Sequence, residues 1–526
     1  MTVTTLAGLL DQQASQPLGD APRYSFVEEA ETWSCAGLAR RATRVAGQLR
    51  RGGVGHGDHV GLLCDDRQSF VEAFFGLQHR GAVPVPVGVA GRPGGAAWTE
   101  MLARRCASLR LAALVTDPPL VDACRAAAPG VSVLTVDGTQ GPPDPPGDPC
   151  PVAFIQPSSG TTGEPRGVVL SHRAVLANLT ATREAFGLGP WFVCFTWLPF
   201  FHDMGLVGTV LNPLFSEFLV HIWRPKLFVL RPRRWLELVS ETGSTLTVAP
   251  PFALEMVTRA VRRTGGGTKL DLSGVDAFLV GSEQIRPRIL DDFAETFAPF
   301  GLRPEVITPV YGLAEAVLTV AVTRIGDGAT QTTVRGRRAV ACGSAVPGTQ
   351  LSLSPDDELL VRTPSAMDGY LGDEPGTARV LADGWLHTGD VAELTTEGLV
   401  VVGRAKEMLN RNGIRIPPED LESVAASVDG VRAGRVVAVA DTSDARERIV
   451  VLAESAAQGR DRDHLVLAIR AELADAGTPA DVVDLVPRGF LPRTTSGKLR
   501  RTVLLDAYRQ RTATRQVGTS VAGPGR

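Results

Sequence analysis

Two kinds of hydrophobic pattern alternate along the first part of the chain. Phe70 to His79 carries Phe70, Phe74, Phe75 and Leu77 partly along one side of a helical spacing. Gly81-Ala82-Val83-Pro84-Val85-Pro86-Val87 follows as a continuous apolar run and predicts a buried strand. Leu111 to Thr116 and Val131 to Val136 are further short apolar runs behind helical stretches. From residue 4 to about 135 this spacing predicts the βα alternation of a parallel sheet covered on both faces. Asp137 to Pro151 interrupts it. Its prolines suit neither a helix nor a central strand, so the stretch predicts an exposed, semi-rigid linker. From 152 to about 320 the alternation resumes, with Val152 to Ile155, Leu246 to Pro250 and Ala277 to Gly281 as strands and Ser171 to Phe186 as a helix. Between 330 and 400 the runs shorten to Ala339–Cys342, Gln350–Ser354, Glu358–Val361 and Leu399–Val402, which predicts a small β-rich subdomain.

After Gly403-Arg404-Ala405-Lys406 a new series begins. Glu419 to Val428 and Asp463 to Leu473 read as helices, and Arg435–Ala440, Arg448–Ala453 and Asp481–Val486 as strands. The expected fold is therefore α/β. A large N-terminal domain, residues 1–403, holds two α/β sheet subdomains plus the small β-rich one. A small α+β C-terminal domain spans 404–512. Residues 513–526 are polar and glycine-rich, and a disordered tail is expected there.

Size and composition narrow the function classes. A chain of 526 residues is too long for one ordinary core. Its net charge of −3 is spread along the chain, which leaves no footprint for nucleic acid. No run of about 18 apolar residues occurs, so no membrane span is expected. Met1 to Leu6 lacks the charged and apolar regions of a signal peptide. The seven cysteines are scattered, odd in number and without a CxxC pair, which fits buried thiols in a reducing, cytoplasmic setting. Asn178-Leu179-Thr180 matches a glycosylation sequon, without meaning in that compartment.

The candidate chemistry starts at Gln156-Pro157-Ser158-Ser159-Gly160-Thr161-Thr162-Gly163-Glu164-Pro165-Arg166-Gly167. Glycines let backbone N–H groups turn toward a phosphate, and hydroxyls add neutral donors. The stretch is not a GxxxxGK[ST] loop, and by itself it reads equally well as a surface turn. Three more stretches bear on it. Tyr311-Gly312-Leu313-Ala314-Glu315 offers a ring to stack on a purine and a carboxylate for Mg²⁺. Trp385-Leu386-His387-Thr388-Gly389-Asp390 ends in an acid suited to two ribose hydroxyls. Leu491-Pro492-Arg493-Thr494-Thr495-Ser496-Gly497-Lys498-Leu499 carries one lysine on a Ser/Gly loop.

Together and in this order, these stretches resemble the adenylate-forming superfamily of acyl-CoA synthetases, peptide adenylation domains and luciferases, from about residue 5 to 510. The resemblance implies ATP and Mg²⁺ as cofactors. It makes Ser158, Ser159, Gly160, Thr161, Thr162 and Gly163 the phosphate loop, with Thr162 beside Mg²⁺. It sets Gly281, Ser282, Glu283, Tyr311 and Gly312 around the adenine, Glu315 on Mg²⁺, and Asp390 and Arg404 on the ribose. Lys406 takes the hinge position of a mobile C-terminal domain, and Lys498 is the lysine that domain swings in. The implied chemistry is attack of a carboxylate on the α-phosphate of ATP, helped by positioning and electrostatics. A second pose would bring Asn412-Gly413-Ile414 toward a thiol.

Within the superfamily, Trp197-Leu198-Pro199-Phe200-Phe201-His202-Asp203-Met204-Gly205-Leu206-Val207-Gly208 looks like the LPLYHDMGLIG stretch of fatty acyl-AMP ligases. That likeness puts His202 at the acyl carboxylate and Met204, Gly205, Gly208, Gly281 and Ala314 in the substrate pocket. Without it, His202 reads as an N-cap or a satisfied core histidine. Phe228 to Leu236 resembles the FxxRPxRWL stretch of those ligases, and by composition it is a basic loop before an amphipathic helix. Tyr311-Gly312-Leu313-Ala314-Glu315-Ala316 has Ala314 where many members have threonine. Two departures stand out. Arg166 replaces the usual loop lysine, and Val317 to Ala341 is short where these ligases usually carry an insertion. The expected reaction is activation of a hydrophobic carboxylic acid as acyl-AMP and transfer to an acyl carrier protein. CoA as acceptor, or nitrite as the adenylated oxyanion, stays open. A non-enzymatic nucleotide scaffold would need neither Glu315 nor Lys498.

Overall fold

The computed structural model describes residues 3–89, 91–158, 166–264, 270–411, 414–431, 434–441, 448–492, 501 and 504–511. The chain divides into two compact units. The first runs to Ser158 and continues through Pro165–Thr388 and Ala392–Val401, and the second is chiefly Val402 onward with Gly389–Val391.

The first unit is built on two parallel-centred sheets. Six strands, Ile307–Gly312, Ala277–Val280, Leu246–Ala249, Val193–Thr196, Leu219–Ile222 and Pro22–Phe26, lie side by side and parallel in that order. Antiparallel strands finish both edges: Thr319–Val322 and Ser344–Ala345 at one, Glu31–Ser34 at the other. Helices Pro232–Glu241, Pro251–Thr264 and Pro287–Phe297 each begin at a proline, whose missing N–H costs nothing at a helix start. Their apolar stripes bury Trp235, Leu254 and Phe293 with Phe278 of the sheet.

The second sheet is parallel, in the order Val83–Pro86, His59–Leu63, Ala113–Thr116, Ser132–Leu134. Pro84 and Pro86 are tolerated because their strand is the sheet edge. The helix Arg67–Arg80 is buried around most of its circumference rather than on one side, because it packs against the helix Cys35–Arg51 as well as the sheet. It stops at Gly81, whose φ of 69° only glycine adopts cheaply.

Two expectations change. Val152–Ser158 does not feed a parallel βα unit. It forms an antiparallel hairpin with Arg166–Ser171, and Gly369–Tyr370 adds a third strand. The N-terminal strands Pro22–Phe26 and Glu31–Ser34 belong to the larger sheet, since periodicity identifies an element but not its partner. Asp137–Pro151 is irregular and mostly exposed, as expected of a semi-rigid linker, and Gly138, Asp144 and Gly147 anchor it by donating N–H groups to Glu72, Thr43 and His79.

The β-rich part is a five-stranded sheet of Gln350–Leu353, Glu358–Arg362, Leu381–Ala382, Trp385–Thr395 and Gly398–Arg404. The run expected at Ala339–Cys342 is instead the strand Arg337–Val340, paired with Gln331–Val334 in its own hairpin.

In the second unit Val436–Asp441 pairs antiparallel with Arg448–Glu454, which pairs parallel with Val482–Val486. Helices Pro418–Ala426 and Gly459–Asp475 contribute Leu421, Ile469 and Leu473 to its core. Arg501 is held there by Glu407, Glu419 and Glu422 at 2.6, 2.7 and 2.9 Å.

Candidate active site

Parallel strands bring their carboxyl ends to one edge, and that edge is where loops can gather a ligand. Three of the stretches expected to carry chemistry leave from it, at Trp197, Gly281 and Tyr311. The register pairs Phe278 with Ile307 and Val280 with Pro309. Gly281 therefore follows beside Val310, and Ser282 beside Tyr311. The approach is close: a Cβ on Gly281 would lie 2.8 Å from the Val310 carbonyl oxygen. Ser282 turns the chain with a φ of 76°, unusual for a residue with a side chain. Glu283, half-buried, follows it.

Beyond Tyr311 and Gly312 the chain enters a short 3₁₀ turn, Ala314–Ala316. Ala314 is buried and Glu315 half-buried. The Tyr370 hydroxyl donates to Glu315 Oε1 at 2.8 Å. Burial and this carboxylate raise the Tyr370 phenol pKa, so Tyr370 stays a donor. The Arg166 guanidinium lies over the Tyr370 ring, 4.8 Å from its centre, and its Nε is 3.9 Å from Asp373. Arg166 thus closes a line Arg166–Tyr370–Glu315 from the phosphate hairpin to the candidate metal ligand. Among the described residues, no hydrogen bond engages the other carboxylate oxygen of Glu315. One oxygen held by a phenol and one free to bind a cation suits Mg²⁺ on a nucleotide. No group of three or more His, Cys, Asp or Glu among the described residues could hold a metal without such help.

His202 lies in the loop after Val193–Thr196 and takes the N-cap position of the helical turn Asp203–Leu206, but its side chain does not cap it. Its Nδ1 is buried, 2.5 Å from Asp203 Oδ1 and without hydrogen-bond geometry to it. His202 therefore holds the N-cap position by its backbone, while its ring lies beside the Asp203 carboxylate instead of capping the turn. Met204 is buried. Gly205 is sterically required, since a Cβ there would meet the Pro199 oxygen at 2.1 Å. A π-helical turn, Val207–Leu211, follows and includes Gly208, which faces Leu318 with room to spare. The two ligase-like stretches meet here: Trp197 stacks on Phe228 at 3.7 Å with planes 8° apart. Phe228 itself belongs to a helix, Pro225–Leu230, rather than to a basic loop.

In the second unit Asp390 is buried and bonded to Arg404 Nε at 2.9 Å, so the two candidate ribose residues form one pair. Lys406 is exposed in the turn that ends the strand Gly398–Arg404. Ser159, Gly160, Thr161, Thr162, Gly163, Asn412, Gly413 and Lys498 lie outside the described residues; Ser158 ends its hairpin strand opposite Arg166.

The chain is similar to known proteins over nearly its whole length. The AMP-binding enzyme family matches residues 10–371. The chain belongs to that family. A Caulobacter vibrioides protein provisionally named an acyl-CoA synthetase is 33% identical over 96% of this chain and 95% of its own length. The Mycobacterium marinum long-chain-fatty-acid–AMP ligase FadD26 is 31% identical over 97% of this chain and 98% of its own. A solved structure from a study of fatty acyl-adenylate ligases of E. coli and L. pneumophila superposes with a TM-score of 0.87. It is 30% identical and covers 97% of this chain and 99% of its own. The enzyme is an acid–thiol ligase of the adenylate-forming kind. Among its described residues, no helix is long and apolar enough to cross a membrane.

Sequence reasoning gave no role to Gln156, the first residue of the phosphate stretch, and did not single out Tyr370. Gln156 is buried and donates to the Phe201 carbonyl at 2.9 Å, tying the phosphate hairpin to the His202 loop. A lone amide inside an apolar strand was the signal for it. Tyr370 left a fainter trace, as one of only four tyrosines in the chain.

Proposed function

We propose that the enzyme joins ATP to a fatty or similarly hydrophobic carboxylic acid, releases pyrophosphate, and passes the acyl group to the phosphopantetheine thiol of an acyl carrier protein. The observation that carries this reading is the line Arg166–Tyr370–Glu315 beside the Gly281–Tyr311 strand ends. The adenine would stack on Tyr311 against Gly281 and Ser282, with Glu283 and Gly312 flanking it. Residues 158–163 would take the β- and γ-phosphates. Asp390 and Arg404 would hold the ribose. Glu315 and Thr162 would hold Mg²⁺, which supplies charge neutralisation at the phosphates. His202 would fix the acid's carboxylate in line with the α-phosphorus, so that one carboxylate oxygen attacks as the bond to the β-phosphate breaks. Lys498 would balance the charge that builds on the departing pyrophosphate. The C-terminal domain, residues 404–512, would then turn about Lys406 to exchange Lys498 for the thiol. Trp197, Phe228 and Met204 give the acid an apolar wall. A cytoplasmic location follows from the need for ATP and a carrier protein.

CoA is the second reading for the acceptor. The relative provisionally named an acyl-CoA synthetase supports it. So does the short stretch Val317–Ala341, where fatty acyl-AMP ligases usually carry an insertion. Nothing in the comparisons supports nitrite.

The test is pyrophosphate release with ATP, Mg²⁺ and short-, medium- and long-chain acids, hydroxylamine trapping the adenylate. No release with any acid refutes the proposal. Addition of CoA or a holo carrier protein then decides the acceptor.

A further inference from the structure

The turn that follows Glu315 is strained. Val317 has φ 67° and ψ −62° and is fully buried. The Leu318 N–H donates to the Ala316 carbonyl at 2.9 Å, which makes residues 316–318 a γ-turn of the rare positive-φ kind. A β-branched residue there is a genuine outlier. The loop also closes on itself: Leu313 N–H donates to the Leu318 carbonyl, and a Cβ on Gly312 would fall 1.7 Å from that same oxygen. Such strain persists only where surrounding contacts over-determine it.

One side chain supplies those contacts. Asn178 is fully buried in the helix His172–Phe186, which begins directly after the second strand of the phosphate hairpin. Its Nδ2 donates to the carbonyls of Ala316, at 3.2 Å, and Thr319, at 2.9 Å. Its Oδ1 accepts the Thr319 N–H at 3.2 Å. The amide therefore grips the backbone on both sides of Val317. The same burial rules out a glycan on the Asn178-Leu179-Thr180 sequon in the folded chain.

We propose that Asn178 is a positioning residue for adenylation: it holds the strained turn at Val317 and so fixes Glu315 relative to the phosphate hairpin. Asn178 touches no reacting group. It acts through the turn, and the inference rests on the reading of Glu315 as a metal ligand.

The test uses the full-length enzyme and Asn178→Ala, Val317→Gly, their double variant and Glu315→Gln. Three readouts are taken: hydrogen exchange of the peptide covering 313–319, Mn²⁺ binding by electron paramagnetic resonance with α,β-methylene-ATP, and kcat with KM for the acid. In Asn178→Ala, exchange should quicken at 313–319 and Mn²⁺ affinity should fall about fivefold or more, kcat falling with it. KM for the acid should stay within about twofold. In the Val317→Gly background, where the turn is unstrained, adding Asn178→Ala should cost about twofold at most. A folded Asn178→Ala with unchanged exchange and Mn²⁺ affinity overturns the proposal, and so does an equal cost in both backgrounds. If Asn178→Ala does not fold, the double variant decides: a folded double variant with Mn²⁺ affinity within about twofold of Val317→Gly supports the proposal, and a double variant that also fails to fold overturns it. Unchanged Mn²⁺ binding in Glu315→Gln refutes the metal-ligand reading and the proposal with it. Weakened binding there, with unchanged binding in a folded Asn178→Ala, refutes this inference alone.

Discussion

Acid should loosen the N-terminal helix through a single imidazole. The helix Leu6–Ser15 opens with the Leu6 N–H, one of the donors a helix start leaves without an intrahelical partner. His172 Nδ1 accepts it at 3.1 Å, across 166 residues of sequence. With Nδ1 accepting, the proton of the neutral ring sits on Nε2. A second proton would set N–H against N–H at a residue only 6% exposed. Burial accordingly depresses the pKa from the usual 6.5 to about 4. The native state thus binds this proton less readily than the unfolded chain. The contribution is intact above about pH 6.5, is lost progressively as pH falls toward 4, and then levels off. At about 1.4 kcal/mol per pH unit the whole effect is about 3 kcal/mol, with about 2 kcal/mol gone by pH 5. The assay compares the parent with His172→Gln, by urea unfolding and by hydrogen exchange of residues 6–15, from pH 7.5 to 4.5. Glu72 and Asp117, whose pKa values burial raises, and His221, whose pKa burial lowers, are present in both chains and cancel in the difference. A stability difference that stays flat across that range would refute the argument.

Lys498→Ala should abolish pyrophosphate release yet spare thioester formation from supplied acyl-AMP; equal loss of both steps would rule out a swinging domain. Gly205→Ala must push a Cβ into the Pro199 carbonyl and should cost about 1–3 kcal/mol of stability together with activity, as thermal unfolding would report. Gly208→Ala meets nothing closer than Leu318 Cδ2 at 3.6 Å, so it should fold like the parent and shift acid preference toward shorter chains; an unchanged preference would remove Gly208 from the pocket. Tyr370→Phe strips a hydrogen bond to a carboxylate and should slow adenylation by about tenfold, measured as kcat for pyrophosphate release at saturating acid.

The sequence made some of this legible and hid the rest for physical reasons. Strands such as Ala277–Val280 and helices such as Gly459–Asp475 follow from hydrophobic spacing, and the loops at strand ends follow from parallel-sheet topology. Local pattern does not encode partners. Nothing in the pattern of residues 4–135 sets Pro22–Phe26 apart, yet its neighbour is Leu219–Ile222 in the other sheet. The pairing of Val152–Ser158 with Arg166–Ser171 was missed because an apolar run does not say whether its neighbour runs parallel or antiparallel. Tyr370 and Asn178 act through contacts far away in sequence, to Glu315 and to Ala316 and Thr319, and no spacing rule reaches that distance.

The place of Pro22–Phe26 in the larger sheet also sets an order of events during synthesis. Its parallel neighbour is Leu219–Ile222, and Tyr24 reaches the Val210 carbonyl 186 residues downstream. The smaller sheet, complete by Leu134, can close while the chain is still emerging. The strand Pro22–Phe26 has then been translated but has only Glu31–Ser34 beside it, with one edge open. A nascent chain halted before residue 219, or a fragment cut there, carries that open edge into solution. Expression of such fragments should give aggregates, and slow translation between 135 and 219 should lengthen the chain's exposure to chaperones.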